Sequence, residues 1–242
     1  TWSDGSVATS CETYRRPTRS DATYAGDTGD GVYAIDPEGD GSSREVTCDM
    51  TTDNGGWTQV VDFDSASDPC PSGLVTVDVG PVNACSRSVA SSSGGEASST
   101  VDTGFSWQEA RVQSSMWGFG SPEAFDQADT NRGGGIDGRY ADGLGLTTDS
   151  PRTHIFTWGL ADGISGNNSC PATGGGPPPA FVGTDYRCAR AQGAWTGPFF
   201  SGDEATVALD APTTQSLEIR VMSNQDSVNE ETAFSQLSVW VR

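Results

Sequence analysis

The chain has 242 residues, of which 34% are hydrophobic, and it carries 31 glycines and 13 prolines. That length suits one large domain or two small ones, and that composition favours short strands and long turns over helical bundles. Its 33 acids against 13 bases leave a net charge of −20, a surface that repels nucleic-acid phosphates and anionic lipid head groups.

Every base is arginine, so the chain offers no lysine for a Schiff base, a phosphate loop or general-base catalysis. No run approaches the ~20 apolar residues of a membrane span, so neither nucleic-acid binding nor membrane insertion is expected. The six cysteines form no Cys-x-x-Cys pair. This disfavours zinc-ribbon and thioredoxin readings and points to disulfides in an oxidising, extracellular setting. The chain begins at Thr1 with no apolar leader, and a mature, processed form is expected.

Residues 1–30 read as loosely structured, with one short helical turn over Cys11–Arg15 stopped by Pro17. A Gly-rich approach leads into a strand at Val32–Ile35. Strands near 44–50 and 57–63 flank Asn54-Gly55-Gly56, and period-two patterning on both sides of that turn predicts a β-hairpin. Trp57 opens the return strand and is expected to be buried.

The order of Cys11, "GVYAIDP" at 31–37 and "VTCDMTTDNGGWTQV" at 46–60 resembles the N-terminal part of the fibrinogen-like domain, as in fibrinogen, ficolins and intelectins. The resemblance covers residues 10–61 and implies a Cys11–Cys48 disulfide and an extracellular recognition role. The fibrinogen-type calcium loop with its nearby disulfide is not found. The residues beyond this part do not follow the intelectin pattern, so no sugar-binding residue is carried over.

Further along, Leu74–Val79 reads as a strand, and residues 86–100, rich in serine, as an exposed loop. Ala110–Trp117 alternates as a strand, with helix the competing reading because Trp107–Met116 lacks Pro and Gly. Strands are also expected at Tyr140–Thr147, Arg152–Trp158, Leu217–Met222 and Leu237–Arg242. The fold expected is mostly β (a β-rich α+β class). A fibrinogen-like N-terminal hairpin subdomain at 1–63 continues into an antiparallel β-sandwich-like remainder at 64–242, with few short helices and long disulfide-stapled loops. The motifs of this second part, among them "CPSG", "IDGRYADGLGL", "SPRTHIFTW" and a terminal "LSVWVR", resemble a module that follows fibrinogen-like segments in secreted marine-invertebrate proteins. Neighbour pairing of the remaining cysteines gives Cys70–Cys85 and Cys170–Cys188.

Four groups of residues are candidates for chemistry. Asp126, Asp129, Asn131 and Asp137 lie in one Gly-rich loop that offers oxygen ligands at alternate positions, as a calcium site requires, although Tyr140 stands where an EF-hand has its bidentate acid. A solvated acidic turn is the competing reading. Asp27, Asp30, Asp62 and Asp64 form a more diffuse acidic neighbourhood. Asp185, Tyr186 and Trp195, in the aromatic-rich stretch after Cys170, are candidates for stacking on sugar rings or anchoring a partner. Asn167 opens an N-glycosylation sequon.

His154, the single histidine, reads as a packed side chain on the face of Phe156 and Trp158 rather than a catalytic base. No Gly-x-Ser-x-Gly elbow or HExxH helix occurs, and no enzyme is expected. The function expected is a secreted, lectin-like recognition or adhesion module that binds glycans or an extracellular protein, with calcium as candidate cofactor. The alternative is a structural subunit of an extracellular matrix, coat or filament, assembled as a homo-oligomer or polymer. A hydrolase using an acidic pair is a third reading.

Overall fold

The structure is a computed structural model that describes residues 1–17, 20–26, 28–88, 95–118, 143–149, 152–161, 186–190, 197–198, 200–223 and 232–242. Among the described residues, one short α-helix, α1 (Cys11–Arg15), precedes thirteen strands. These are β1 (Gly31–Ile35), β2 (Arg44–Asp49), β3 (Trp57–Asp64), β4 (Val75–Asp78), β5 (Asn83–Ser86), β6 (Gly95–Val101) and β7 (Trp107–Gly118), followed by β8 (Gly143–Thr148), β9 (His154–Ala161), β10 (Tyr186–Arg190), β11 (Phe200–Thr213), β12 (Leu217–Ser223) and β13 (Thr232–Val241).

The strands form two sheets. In the larger, β13 is the spine: one edge pairs antiparallel with β3 and, at Phe234, with β5, and the other pairs with β7. Outward from these lie β2 and β1 beyond β3, β4 beyond β5, and β11 beyond β7. The smaller sheet runs β10-β9-β8-β12-β6 and is antiparallel except for the parallel β10–β9 pair. The last strand of the chain thus holds the larger sheet together, as its clean alternation predicts. Leu237, Val239 and Val241 from β13 share one hydrophobic core with Leu144, Leu146, Trp158, Leu217, Ile219 and Val221 of the smaller sheet. This is the mostly antiparallel β architecture expected, with helix confined to a few residues.

Local chemistry explains the N-terminal part. Ser10 caps α1, its hydroxyl accepting from Thr13 N at 3.3 Å. The β2–β3 turn takes left-handed backbone at four successive residues, Asp53, Asn54, Gly55 and Gly56, the residue types that tolerate it best. At Gly55 the need is also steric, because a Cβ there would sit 2.0 Å from the Met50 carbonyl oxygen. Disulfides Cys11–Cys48 and Cys70–Cys85 pair as expected. Closing loops with separations of 37 and 15 residues, they stabilise by about 4 and about 3 kcal/mol on the chain-entropy estimate. The expected Cys170–Cys188 bridge lies outside the described residues.

Two readings change, and the strand expected at Ala110–Trp117 is borne out. The serine-rich stretch is not loop throughout: Gly95–Val101 is β6, paired along its whole length with β12. Its small side chains suit an edge position with a single neighbour. Residues 107–116 are strand, and the helical alternative fails because β7 fills the slot between β13 and β11. An irregularity after Leu146 sets His154 opposite Thr147, so the row that carries Phe156 and Trp158 is interrupted before it reaches the histidine.

Candidate functional site

The outward face of the larger sheet carries the polar chemistry. Strand register aligns three successive rows across four strands. The first row is Gln59, Trp240, Arg111 and Thr206; the second is Asp62, Ser238, Gln113 and Glu204; the third is Asp64, Gln236, Ser115 and Ser201. Successive rows stand about 6.8 Å apart on β13 and β7, two residues along each strand, whereas register shifts make the step three residues from Gln59 to Asp62 on β3 and from Ser201 to Glu204 on β11. Intervening residues such as Val61, Phe63, Val112, Leu237 and Val239 face the core. This is the period-two division a half-exposed antiparallel sheet requires.

Over the second and third rows lies a groove of about 270 Å³, lined by Asp62, Asp64, Gln113, Ser115, Gln236 and Ser238 with Gly202 at its side. Its amides are held in place. Gln236 Nε2 donates to Asp64 Oδ2 at 3.2 Å, and Ser115 Oγ donates to Gln236 Oε1 at 3.1 Å. Gln113 Nε2 donates to the Gly202 carbonyl at 3.0 Å, and Gln59 Nε2 to Ser238 Oγ at 3.3 Å. Hydrogen bonds from the Ala66 backbone and then from Gln236, against slight desolvation, hold the Asp64 carboxyl below its ordinary range. Among the described residues, nothing donates to the exposed carboxylate of Asp62.

The first row supplies an aromatic ring and its support. Trp240 is half-buried, and the Arg111 guanidinium lies 5.0 Å from its centroid and 5.1 Å from that of Trp57. Arg242 lies 4.1 Å over Trp57, and its Nη1 donates to the carbonyls of Asp53 and Gly55 in the β2–β3 turn. Trp57 is fully buried, as expected, and cations close over it. Arg111 is itself buried and donates to Asp49 Oδ2 at 2.7 Å, while its Nε has no hydrogen-bond partner among the described residues. Burial pushes the Asp49 carboxyl up. Hydrogen bonds from Thr52, Arg111 and Thr51 outweigh it and hold the group well below the usual carboxylate range. The ring of Trp240 is thereby pinned against a fixed guanidinium.

The smaller sheet bears a second charged cluster. Glu218 is 4% exposed and takes both Nε and Nη2 of Arg152, at 2.8 and 2.9 Å, while Glu96 joins Arg152 to the buried Arg220. Burial pushes Glu218 up; hydrogen bonds from Arg152 and Ser98 and the charges of Arg152 and Arg220 bring it below its ordinary value. Every carboxylate here is bound by guanidinium, so the cluster ties β6 and β12 to the β8–β9 connection, and among the described residues it leaves no carboxylate free.

The candidates read from sequence fall mainly elsewhere. Asp27, Asp126, Asp129, Asn131, Asp137, Asn167, Asp185 and Trp195 lie outside the described residues, and Tyr186 is described only as the first residue of β10. The diffuse acidic group divides. Asp30 accepts from Met50 N at 2.6 Å and from the Thr51 hydroxyl, a turn-holding role, whereas Asp62 and Asp64 enter the groove. Among the described residues no three His, Cys, Asp or Glu side chains converge as metal ligands, and no helix is long and apolar enough to cross a membrane.

With this geometry in view, residues 16–66 match the family model for the fibrinogen beta and gamma chains, C-terminal globular domain. This segment is fibrinogen-like. It contains β1, β2 and β3 with the turn between the last two, and so brings Asp62 and Asp64 to the groove. Comparison with curated proteins and with solved structures gave no match, and the resemblance read for the second part of the chain gains no support from them. Gln113, Gln236, Ser238 and Trp240 were not singled out from sequence. The signal was present for two of them: Leu237-Ser238-Val239-Trp240-Val241-Arg242 places a tryptophan on the polar phase of its alternation.

Proposed function

We propose that this protein is an extracellular recognition module that binds a glycan on the outward face of the larger sheet. The observation that carries the reading is a polar groove of about 270 Å³ one row away from the half-buried ring of Trp240. Sugar rings offer an apolar face for stacking and a rim of hydroxyls that pair with planar amides and carboxylates. Gln113, Gln236, Ser238 and Asp62 supply the second kind of contact and Trp240 the first. The fibrinogen-like match and the two disulfides support an extracellular setting. Calcium at the 126–137 loop belongs to the proposal as an assisting ligand.

The test is a glycan array probed with the wild-type chain and with Gln113→Ala and Trp240→Phe, each with its melting temperature recorded. A specific glycan signal weakened about tenfold by Gln113→Ala in a folded protein is the expected result, on the scale of one or two lost hydrogen bonds. An array without binders, or binding untouched by both substitutions, overturns the reading. Polymers in native secretions would then favour the structural-subunit function.

A further inference from the structure

Taking the groove as a glycan site, we infer that its ligand is cationic, an oligosaccharide bearing free amines that lies across the strands along the row Asp62-Ser238-Gln113-Glu204. Register places Asp62 on β3 and Glu204 on β11 at the two ends of this row, with Ser238 and Gln113 between them. Three strand spacings separate the two backbones by about 14 Å. Both carboxylates belong to exposed residues, and among the described residues neither accepts a hydrogen bond. Asp64, one row away, is instead engaged by Ala66 N and Gln236. Among the described residues, the row therefore has a neutral hydrogen-bonding middle and an unpaired carboxylate at each end.

Among the described residues, neither adjoining guanidinium forms an ion pair with these two carboxylates. Arg111 is turned to Asp49, and Arg187 donates through Nη2 to the Glu204 carbonyl at 2.6 Å, which leaves the carboxylate itself exposed. A ligand with amines spaced to reach both ends gains two ion pairs. A uronate or sulfated chain meets like charge at both. Asp62 and Glu204 are thus specificity determinants, while the amides and Trp240 supply the affinity that any neutral sugar shares.

The probes are the tetramer of glucosamine, the tetramer of N-acetylglucosamine and a uronate tetramer. Titration calorimetry at low salt and mildly acidic pH, where an amino sugar carries its proton, gives the affinities. Two exposed pairs, each giving about two- to fivefold, predict that the amine tetramer binds roughly tenfold more tightly than the acetylated one. Asp62→Asn and Glu204→Gln each reduce that ratio, the double variant brings it to about one, and the equal charge change Glu38→Gln leaves it alone. Acetylated and amine tetramers binding equally to the wild type would overturn this inference and leave the glycan reading standing. A preference reduced as much by Glu38→Gln, or uronate binding as tight as acetylated, would overturn it as well. Absence of binding by all three tetramers would overturn it too, while the array above judges the glycan reading separately.

Discussion

Replacing Asp49 with asparagine tests whether the Trp57–Arg111–Trp240 stack is held electrostatically. In the folded protein Asp49 accepts from Arg111 Nη2 at 2.7 Å, Thr52 N at 2.8 Å and Thr51 N at 3.0 Å. Asparagine keeps an acceptor for the turn amides but removes the counter-charge of a guanidinium whose side chain is 6% exposed. Breaking a buried pair from one side costs about 3–5 kcal/mol. The two indole faces at 5.0 and 5.1 Å continue to stabilise the cation, which places the expected loss at the low end, about 3 kcal/mol. For a chain of this size that is a fall in Tm of roughly 6–12 °C.

Urea and thermal melts followed by tryptophan fluorescence measure the loss, and a cycle with Arg111→Met isolates the pair. The pH dependence has a definite sign. The folded-state pKa of Asp49 is depressed, so its contribution is complete above the ordinary carboxylate range and fades as pH falls through the folded value. The stability gap between wild type and Asp49→Asn should therefore be full at neutral pH and close in acid. A coupling below about 0.5 kcal/mol, or a gap that widens on acidification, would refute the electrostatic account.

Gly55→Ala should destabilise by at least about 2 kcal/mol in chemical denaturation, because it adds left-handed strain to a clash with the Met50 carbonyl. Arg152→Met leaves Glu218 buried without its bidentate partner and should cost about 3 kcal/mol at neutral pH. That loss should shrink toward acid as Glu218 takes up a proton, which paired pH melts would report. Calcium at about a hundredfold excess over Kd should raise stability by about 2.7 kcal/mol, and Asp129→Ala/Asn131→Ala should abolish the rise seen in differential scanning calorimetry. Peptide mapping without reduction should recover Cys170 linked to Cys188.

The parts of the fold that were legible in the sequence are those fixed by neighbours in the chain. Asn54-Gly55-Gly56 dictates its turn through backbone conformation alone, and the alternation from Leu237 to Val241 in β13 declares which residues are buried, whereas in β12 the polar Glu218 and Arg220 are buried along with Leu217, Ile219 and Val221. The β6 strand was hidden because Gly95, Glu96, Ala97, Ser98 and Ser99 carry little β preference, and only pairing with β12 makes them strand. The candidate site was hidden for a different reason. Asp62, Ser238, Gln113 and Glu204 come from four strands far apart in sequence, and a one-residue slip in any pairing would turn one of them into the core. Irregularities at Val239/Trp240 in the β3 pairing and at Ser201/Asp203 set this register, and neither is visible in hydrophobic pattern.

Composition acquires a sharper meaning once the arginines are placed. Thirteen bases already face 33 acids, and several of those bases are not on the surface: Arg87, Arg111 and Arg220 are each at most 5% exposed, and the Arg242 side chain is 15% exposed. Arginine suits such positions, since its planar fork can serve a carboxylate and an indole face together, whereas a lysine ammonium is a compact, strongly hydrated charge that is harder to bury. The chain therefore uses part of its scarce cations as internal pins, at Asp49, Glu96 and Glu109. Acids such as Asp62 and Glu204 remain outside without partners among the described residues. Each pin also occupies a carboxylate, so the chain keeps its strong acidic excess. The preference argued for the groove, amine over uronate, is the local form of that same arrangement.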